Sequence, residues 1–280
     1  MTSLDPKIQA LMAAAQKPVN ISAIILGPQD AGKTVLAASV SAKFPEVLPA
    51  KEPVSLDDIA WIGADKHSLQ GLRMLGINVP YAVDMNGLLS EGGAAKDVQE
   101  ALNLSMGAIR EFVLKGGCKY VVIDTISAID TLFCDFANKT ATGPAAYGLV
   151  AKLHQQLAGI IRLPAHTIFL SHQKAVIAQA ADGKRETEEA KKNYQEQEGI
   201  EDGDLDMAFY FKGLKTLYQA HASIMWELRN DYQGVGNSAK KVRILYTDRR
   251  GARTKNKYAH LTKAQEEPNL RKVFTKCGII

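Results

Sequence analysis

The chain of 280 residues is 46% hydrophobic and 23% charged, with a formal net charge of +4. This composition is close to that of globular proteins and excludes a disordered or fibrous protein, and the length predicts one large domain or two small ones. No apolar run approaches the roughly 20 residues that a membrane helix needs, and no secretion signal is recognisable. Three cysteines without metal-type spacing argue against a disulfide framework and favour a cytoplasmic protein.

Charge is unevenly distributed along the chain. Residues 182–206 contain ten acidic and four basic side chains, whereas residues 229–280 contain thirteen basic and four acidic ones. Such asymmetry is typical of a surface that binds nucleic acid or a protein partner. The polar stretch 175–208 predicts an exposed acidic insertion, which is either a solvated helix or a segment that orders only on binding.

Predicted helices and strands alternate along the chain. An amphipathic helix over residues 3–16 forms an N-terminal element, 1–17, ahead of a domain over 18–280. Compact apolar runs predict strands at 21–26, 58–62, 120–124, 167–171, 222–228 and 241–248. Helical spacing of apolar residues predicts helices at 34–43, 94–115 and 145–161. The alternation predicts an α/β fold with a mostly parallel twisted sheet flanked by helices, extended at its C-terminal end by antiparallel strands.

A glycine-rich motif, G-x-x-x-x-G-K-[ST], lies between the first strand and the first helix of the domain. In such a loop the backbone N–H groups bind phosphate oxygens, the lysine reaches the terminal phosphates and the hydroxyl holds Mg²⁺. We expect ATP and Mg²⁺ as ligands. The binding residues are Gly27, Pro28, Gln29, Asp30, Ala31, Gly32, Lys33, Thr34 and Val35. Because phosphate would repel its carboxylate, Asp30 is expected to face outward or to pair with a basic group.

The run 120–124 predicts a second part of the same site. It is an apolar strand that ends in Asp124, about 90 residues after the loop. Open α/β sheets place their ligands at the carboxyl ends of their strands, so Asp124 is expected to hold Mg²⁺ together with Thr34. The alternative is a strand that simply ends in a capping aspartate.

With these motifs, the chain resembles the RecA-type ATPases over about residues 18–260, and most closely the core-only forms of bacteriophages that act in single-strand annealing and recombination. The resemblance implies a RecA-like nucleotide-hydrolysing core. Residues 62–77 are similar to the family segment in which an acidic residue orients the attacking water, and Asp65 takes that place. The family usually has glutamate there, and Asp65 is also suited to capping the following helix.

Two further segments carry the resemblance. His172, at the end of the strand 167–171, matches a polar residue that contacts the γ-phosphate in this family. The family places a DNA-binding loop after that strand, but here the segment is acidic. DNA contacts from this segment would have to come from Lys174, Lys184, Arg185, Lys191, Lys192 or the aromatic cluster 209–211. The alternative role of the aromatic cluster is packing in the core or at an interface.

The basic segment 247–261 resembles the hairpin that brings cations into the nucleotide site of the neighbouring subunit. Lys255 and Lys257 then act as catalytic cations on the transferring phosphate. A cation that reaches across requires head-to-tail assembly into a homo-oligomeric filament or ring, with the helix 3–16 as a docking element. The alternative is a solvated basic edge that prevents aggregation of the sheet.

These features together predict an Mg²⁺-dependent ATPase that assembles on single-stranded DNA in phage recombination or repair. A single-strand-binding or annealing protein would be a further partner, and no membrane is expected. Two alternatives share the fold: a nucleotide-switched module that binds a protein without touching DNA, and a ring helicase.

Overall fold

The computed structural model describes residues 5, 20–65, 67–175, 205–207, 212–233, 240–247, 261 and 264–280. Most of the expected N-terminal helix, the acidic segment and the basic hairpin lie outside these residues, as does the aromatic cluster 209–211. Within the described part of the chain, no helix is both long and apolar enough to cross a membrane.

The strands of the described residues form a main sheet and a small two-stranded one. Their bounds are β1 (Ser22–Gly27), β2 (Val54–Ser55), β3 (Ile59–Gly63), β4 (Ile77–Asn78), β5 (Tyr81–Asp84), β6 (Tyr120–Asp124), β7 (His166–Ala175), β8 (Leu205–Met207), β9 (Ile224–Gln233), β10 (Lys240–Tyr246) and β11 (Ala264–Glu266). The main sheet has the order β11-β10-β9-β1-β7-β6-β3-β5, with β8 paired to β7, and β2 pairs with β4.

Helices connect most of these strands. Their bounds are α1 (Lys33–Ala38), α2 (Ser68–Met74), α3 (Met85–Leu89), α4 (Val98–Leu114), α5 (Ile126–Thr140), α6 (Pro144–Ala158), α7 (Lys212–His221) and α8 (Leu270–Lys276). A single 3₁₀ turn, Gly159–Arg162, continues α6.

The centre of the sheet is parallel. Strand β1 pairs in parallel with β7 and β9, and β6 pairs in parallel with β7 and β3. The C-terminal strands reverse direction, because β10 is antiparallel to β9 and β11 is antiparallel to β10. The predicted fold class, a mostly parallel α/β sheet with an antiparallel C-terminal extension, is therefore confirmed.

Two apolar cores cover the two faces of the sheet. The core that contains α1, α2 and α8 buries alternate residues of β1, such as Ala23 and Ile25. The core that contains α4, α5, α6 and α7 buries the residues between them, Ile24 and Leu26. All six residues of β1 are buried, as the compact apolar run predicted. The loop that follows β1 consequently starts from a rigid position.

Several predicted boundaries were wrong. The helix predicted over 34–43 ends at Ala38, because the Ser39 hydroxyl donates to the Leu36 carbonyl and accepts from the N–H of Leu270 on α8. The helix predicted over 94–115 begins only at Val98, where Asp97 caps it by accepting from the N–H of Glu100. Strand β7 runs beyond the predicted residue 171 to Ala175, since β8 pairs with its end.

The strand predicted at 222–228 begins two residues later and runs on to Gln233, and the one predicted at 241–248 spans Lys240–Tyr246. The strand predicted at 120–124 is confirmed, and those at 21–26 and 58–62 are displaced by one residue. Helix 145–161 spans Pro144–Ala158 with the 3₁₀ turn after it. Helix α5, capped by Thr125, and the short C-terminal α8 were not predicted.

Candidate active site

The glycine-rich loop joins β1 to α1 at the carboxyl edge of the parallel sheet. Asp30 and Gly32 adopt left-handed backbone angles, with φ of 61° and 88°. The Lys33 ammonium donates to the carbonyl oxygens of Gly27 at 2.9 Å and Pro28 at 2.6 Å. Asp30 is exposed, in agreement with the expectation that it faces outward. The loop is thus folded around its own lysine.

Sheet order brings Asp124 to this loop. One strand, β7, separates β1 from β6, and all three are parallel, so their carboxyl ends meet at one edge. The Thr34 hydroxyl, in the first turn of α1, donates to Oδ2 of Asp124 at 2.8 Å. Two residues that are 90 positions apart in sequence therefore form one pair of oxygen donors.

Burial controls the protonation of this pair's carboxylate. Asp124 is only 1% exposed. Burial raises the pKa of Asp124 to about 6, and the neighbouring Asp65 carboxylate adds to the effect. The hydrogen bonds from Thr34 and Ser68 and the Lys33 ammonium act in the opposite direction. A cation bound at this point would favour the ionised form.

Lys33 is buried beside the same carboxylate. Burial lowers the pKa of Lys33 to about 8, although Asp124, Asp30 and Asp65 all favour its charged form. The acidic groups and loop carbonyl oxygens around the ammonium therefore do not fully offset the loss of its hydration. Such a desolvated cation is well suited to a polyphosphate.

Asp65 follows β3 and lies next to Asp124. Its N–H donates to the Asp124 carbonyl oxygen at 3.4 Å. Its carboxylate oxygen Oδ1 accepts from the N–H of His67 at 3.1 Å, one residue before α2 begins. Asp65 therefore lines the cleft and also supports the start of the following helix, so the geometry accommodates both of the interpretations drawn from sequence.

His172 stands at the carboxyl edge between the loop and α5. Its ring nitrogen Nδ1 lies 3.4 Å from the Lys33 ammonium. Its backbone N–H donates to the Ser127 hydroxyl at 3.0 Å. Burial, and then the Lys33 charge, lower the pKa of His172, against smaller opposing effects of Asp65 and Asp30. The ring is consequently neutral near pH 7 and can donate one N–H.

A cleft of about 300 Å³ joins these groups. Of the residues predicted for the site, the cleft is lined by Gln29, Asp30, Gly32, Lys33, Thr34, Val35, Asp65, Asp124 and His172. Gly27 and Pro28 contribute through their carbonyl groups, and Ala31 is buried behind the loop. Lys255 and Lys257 lie outside the described residues.

Sequence reasoning missed the wall of the cleft that α2 provides. The additional lining residues are His67, Ser68, Gly71, Leu72, Leu75 and Thr125. Two of them, Leu72 and Leu75, form the apolar part of this wall. The helix expected to follow Asp65 was a usable signal for this wall, but its place beside the loop depends on the order of the strands.

The oxygen donors present fit magnesium. Within the described residues, no group of three or more His, Cys, Asp or Glu side chains could hold a metal by itself. Mg²⁺ usually takes one or two carboxylates together with substrate phosphates and water, and the Thr34 hydroxyl and the buried Asp124 carboxylate offer such a partial set.

The fold and this cleft define an α/β protein with a glycine-rich strand–loop–helix cleft at the carboxyl edge of a parallel sheet. No family model matches the chain, and no curated protein matches it. Among solved structures, the chain is similar to a KaiC-like protein from the hyperthermophilic archaeon Pyrococcus horikoshii OT3. The two are 14% identical with a TM-score of 0.47, over 88% of this chain and 84% of the other.

Proposed function

We propose that the protein is an Mg²⁺-dependent hydrolase of nucleoside triphosphates, with ATP as its substrate. The observation that carries this proposal is the hydrogen-bonded pair Thr34–Asp124 beside the buried ammonium of Lys33, all in one cleft at the end of β1. A buried carboxylate facing a hydroxyl and an ammonium is costly without a ligand, and a magnesium-bound polyphosphate compensates each of these groups.

Lys33 and the loop amides bind the phosphates. Lys33 exchanges the carbonyl oxygens of Gly27 and Pro28 for phosphate oxygens when the nucleotide enters. Thr34 and Asp124 hold the metal, which when bound neutralises charge on the phosphates. Because the pKa of Asp124 is about 6, its carboxylate is largely ionised at neutral pH and can serve this role.

Asp65 and His172 act on the reacting phosphate. Asp65 orients the attacking water and accepts its proton as the water oxygen bonds to the γ-phosphorus. The bond from that phosphorus to the bridging oxygen breaks, and the electron pair stays on the diphosphate. The neutral ring of His172 donates to a γ-phosphate oxygen and so distinguishes the triphosphate from the diphosphate.

Single-stranded DNA and a head-to-tail homo-oligomer complete the proposal, with Lys255 and Lys257 entering the neighbouring subunit's cleft. Support comes from the basic residues of 247–261 and from the resemblance to phage RecA-type ATPases. The role would be in phage recombination or repair in the bacterial cytoplasm, alongside a single-strand-binding or annealing protein. The rival module of the same fold would bind a protein through the acidic segment 175–208 instead.

Phosphate release from Mg-ATP, measured with and without an oligonucleotide, tests both the proposed hydrolysis and its dependence on DNA. We expect hydrolysis that single-stranded DNA stimulates, and DNA affinity that rises with ATP and falls steeply with salt. Hydrolysis without any response to DNA would favour the protein-binding module, and strand unwinding would favour the helicase. Absence of magnesium-dependent nucleotide binding would refute the proposal as a whole.

A further inference from the structure

Arg243 contacts the glycine-rich loop from the C-terminal extension. It lies on β10, two strands away from β1, opposite Asn230 of β9. A Cβ atom added to Gly32 would lie 2.9 Å from both Cζ and Nε of Arg243 and 3.0 Å from Nη2. The guanidinium therefore lies directly against the backbone of Gly32, at the N-terminal end of α1.

The position of Arg243 is fixed, but one of its donors is not used. Its backbone N–H donates to a carboxylate oxygen of Glu267 at 3.3 Å, and its backbone carbonyl oxygen accepts from the N–H of Glu267 at 2.8 Å. Its Nε is buried and has no hydrogen-bond partner among the residues that the structure describes. A buried donor without a partner is unfavourable. An anion arriving at Gly32 would satisfy this donor.

Arg243 approaches the loop from the side opposite to the metal-binding pair. The sheet order places β7 and β6, with His172 and Asp124, on one side of β1, and β9 and β10 on the other. Val35 lines both the cleft and a neighbouring pocket of about 710 Å³ that Arg243 also lines. The two cavities adjoin at Val35, so a nucleotide whose terminal phosphates lie at Lys33 and Thr34 would reach Arg243 by extending past Val35.

We propose that Arg243 binds the phosphate nearest the sugar of the bound nucleotide. This inference rests on the proposed nucleotide binding and adds a cation from the same chain that sequence motifs did not indicate. Guanidinium groups match the geometry of phosphate oxygens and form strong charge-assisted hydrogen bonds with them. Because that phosphate is present in ATP and ADP alike and does not react, Arg243 contributes to binding both nucleotides and leaves the chemical step almost unchanged.

The test compares Arg243→Met, Arg243→Lys and the unmodified full chain. Methionine keeps an unbranched apolar side chain against Gly32 and removes the charge, whereas lysine keeps the charge without the planar donors. Titration calorimetry with Mg-ATP and Mg-ADP gives the dissociation constants, and phosphate release gives kcat. We expect Arg243→Met to weaken binding of both nucleotides by a similar factor, on the order of tenfold, with kcat within about threefold of the unmodified chain. Arg243→Lys should recover part of the affinity.

A matched control is Lys272→Met. Lys272 lines the same pocket as Arg243, but it lies on α8 and is exposed. Its removal should leave both dissociation constants unchanged, which separates a specific contact from a general loss of positive charge.

Three outcomes would overturn the inference. Equal nucleotide affinity of Arg243→Met and the unmodified chain would make the arginine a packing residue. A selective loss of ATP binding together with a lower kcat would place it at the reacting phosphate instead. If the unmodified chain binds neither nucleotide, the proposed function fails along with this inference, whereas the first two outcomes leave the proposed function intact.

Discussion

The two sides of the glycine-rich loop differ in how their polar groups are satisfied. On the side of β6 and β7, the groups pair with each other: Thr34 with Asp124, and Lys33 with carbonyl oxygens of the loop. On the side of β10, the Nε of Arg243 is buried and forms no hydrogen bond within the described part of the chain. A ligand must break existing hydrogen bonds on the first side and can form a new one on the second.

This difference separates two tasks. We call the side of β6 and β7 the metal side, because it holds Thr34 and Asp124. Its groups change hydrogen-bond partners during binding and hydrolysis, so their removal should affect turnover strongly. Arg243 only gains a partner, so its removal should affect affinity alone. Substitutions on the metal side should therefore lower turnover, in contrast to those of Arg243, which should lower affinity.

The largest effect is expected from Lys33→Ala. The substitution removes the buried ammonium that donates to the loop carbonyl oxygens and that we propose binds the β and γ phosphates. We expect hydrolysis to fall by about 10³-fold and the affinity for Mg-ATP to fall as well, measured by phosphate release and calorimetry. Unchanged turnover would place the reaction elsewhere in the molecule and remove the basis of the comparison.

A smaller loss, confined to turnover, is expected from Asp65→Asn. The amide keeps an oxygen that can accept from the N–H of His67, but it cannot accept the proton of the attacking water. We expect kcat to fall by about 10²-fold with little change in the dissociation constant of ATP.

Asp65→Glu is the matched control, since glutamate keeps the carboxylate that asparagine removes. It should retain measurable turnover. Equal rates for Asp65→Asn and the unmodified chain would leave Asp65 with only its role before α2.

Some of this site could be read from sequence and some could not. The loop and the strand ending in Asp124 were predictable, because a local motif and a compact apolar run determine both. Helix α5 was also accessible, since Ile126, Ile129 and Phe133 recur at helical spacing behind a capping Thr125. Its omission was an error of pattern recognition and not a limit of the sequence.

The contact of Arg243 with Gly32 could not have been predicted from the chain alone. The two residues are more than 200 positions apart, and their proximity depends on β9 lying between β1 and β10. It also depends on the register that places Arg243 opposite Asn230, since a shift of one residue would turn its side chain to the other face of the sheet. Sequence indicated a strand here, but neither its neighbour nor its register.

A third substitution on the metal side should raise stability while it removes function. The ordinary pKa of aspartate is 3.8, and that of buried Asp124 is about 6. The folded protein therefore binds a proton at Asp124 more tightly than the unfolded chain does, so this group stabilises the fold at low pH. That contribution is lost as the pH rises through about 6.

Asp124→Asn removes this dependence. At pH 7.5, without nucleotide, the variant should be more stable than the unmodified chain by up to about 3 kcal/mol, which is several degrees in melting temperature. Near pH 4 the difference should be close to zero, and Mg-ATP should no longer stabilise the variant. Thermal melts at the two pH values would contradict this expectation if Asp124→Asn melted lower than the unmodified chain at pH 7.5.

The smallest effect is expected at His172. The ring nitrogen Nδ1 lies 3.4 Å from the Lys33 ammonium, and the lowered pKa keeps the ring neutral, so it contributes one hydrogen bond and no charge. A single neutral hydrogen bond supports a loss of about tenfold in kcat for His172→Ala. His172→Gln, which keeps a side-chain donor, should lose less. Since the ring is already neutral, its contribution to kcat should not change between pH 7 and pH 8. An equal loss in both variants would mean that the ring of His172 acts through packing. Of the two described side chains outside the loop that we propose contact a phosphate, only Arg243 would then remain.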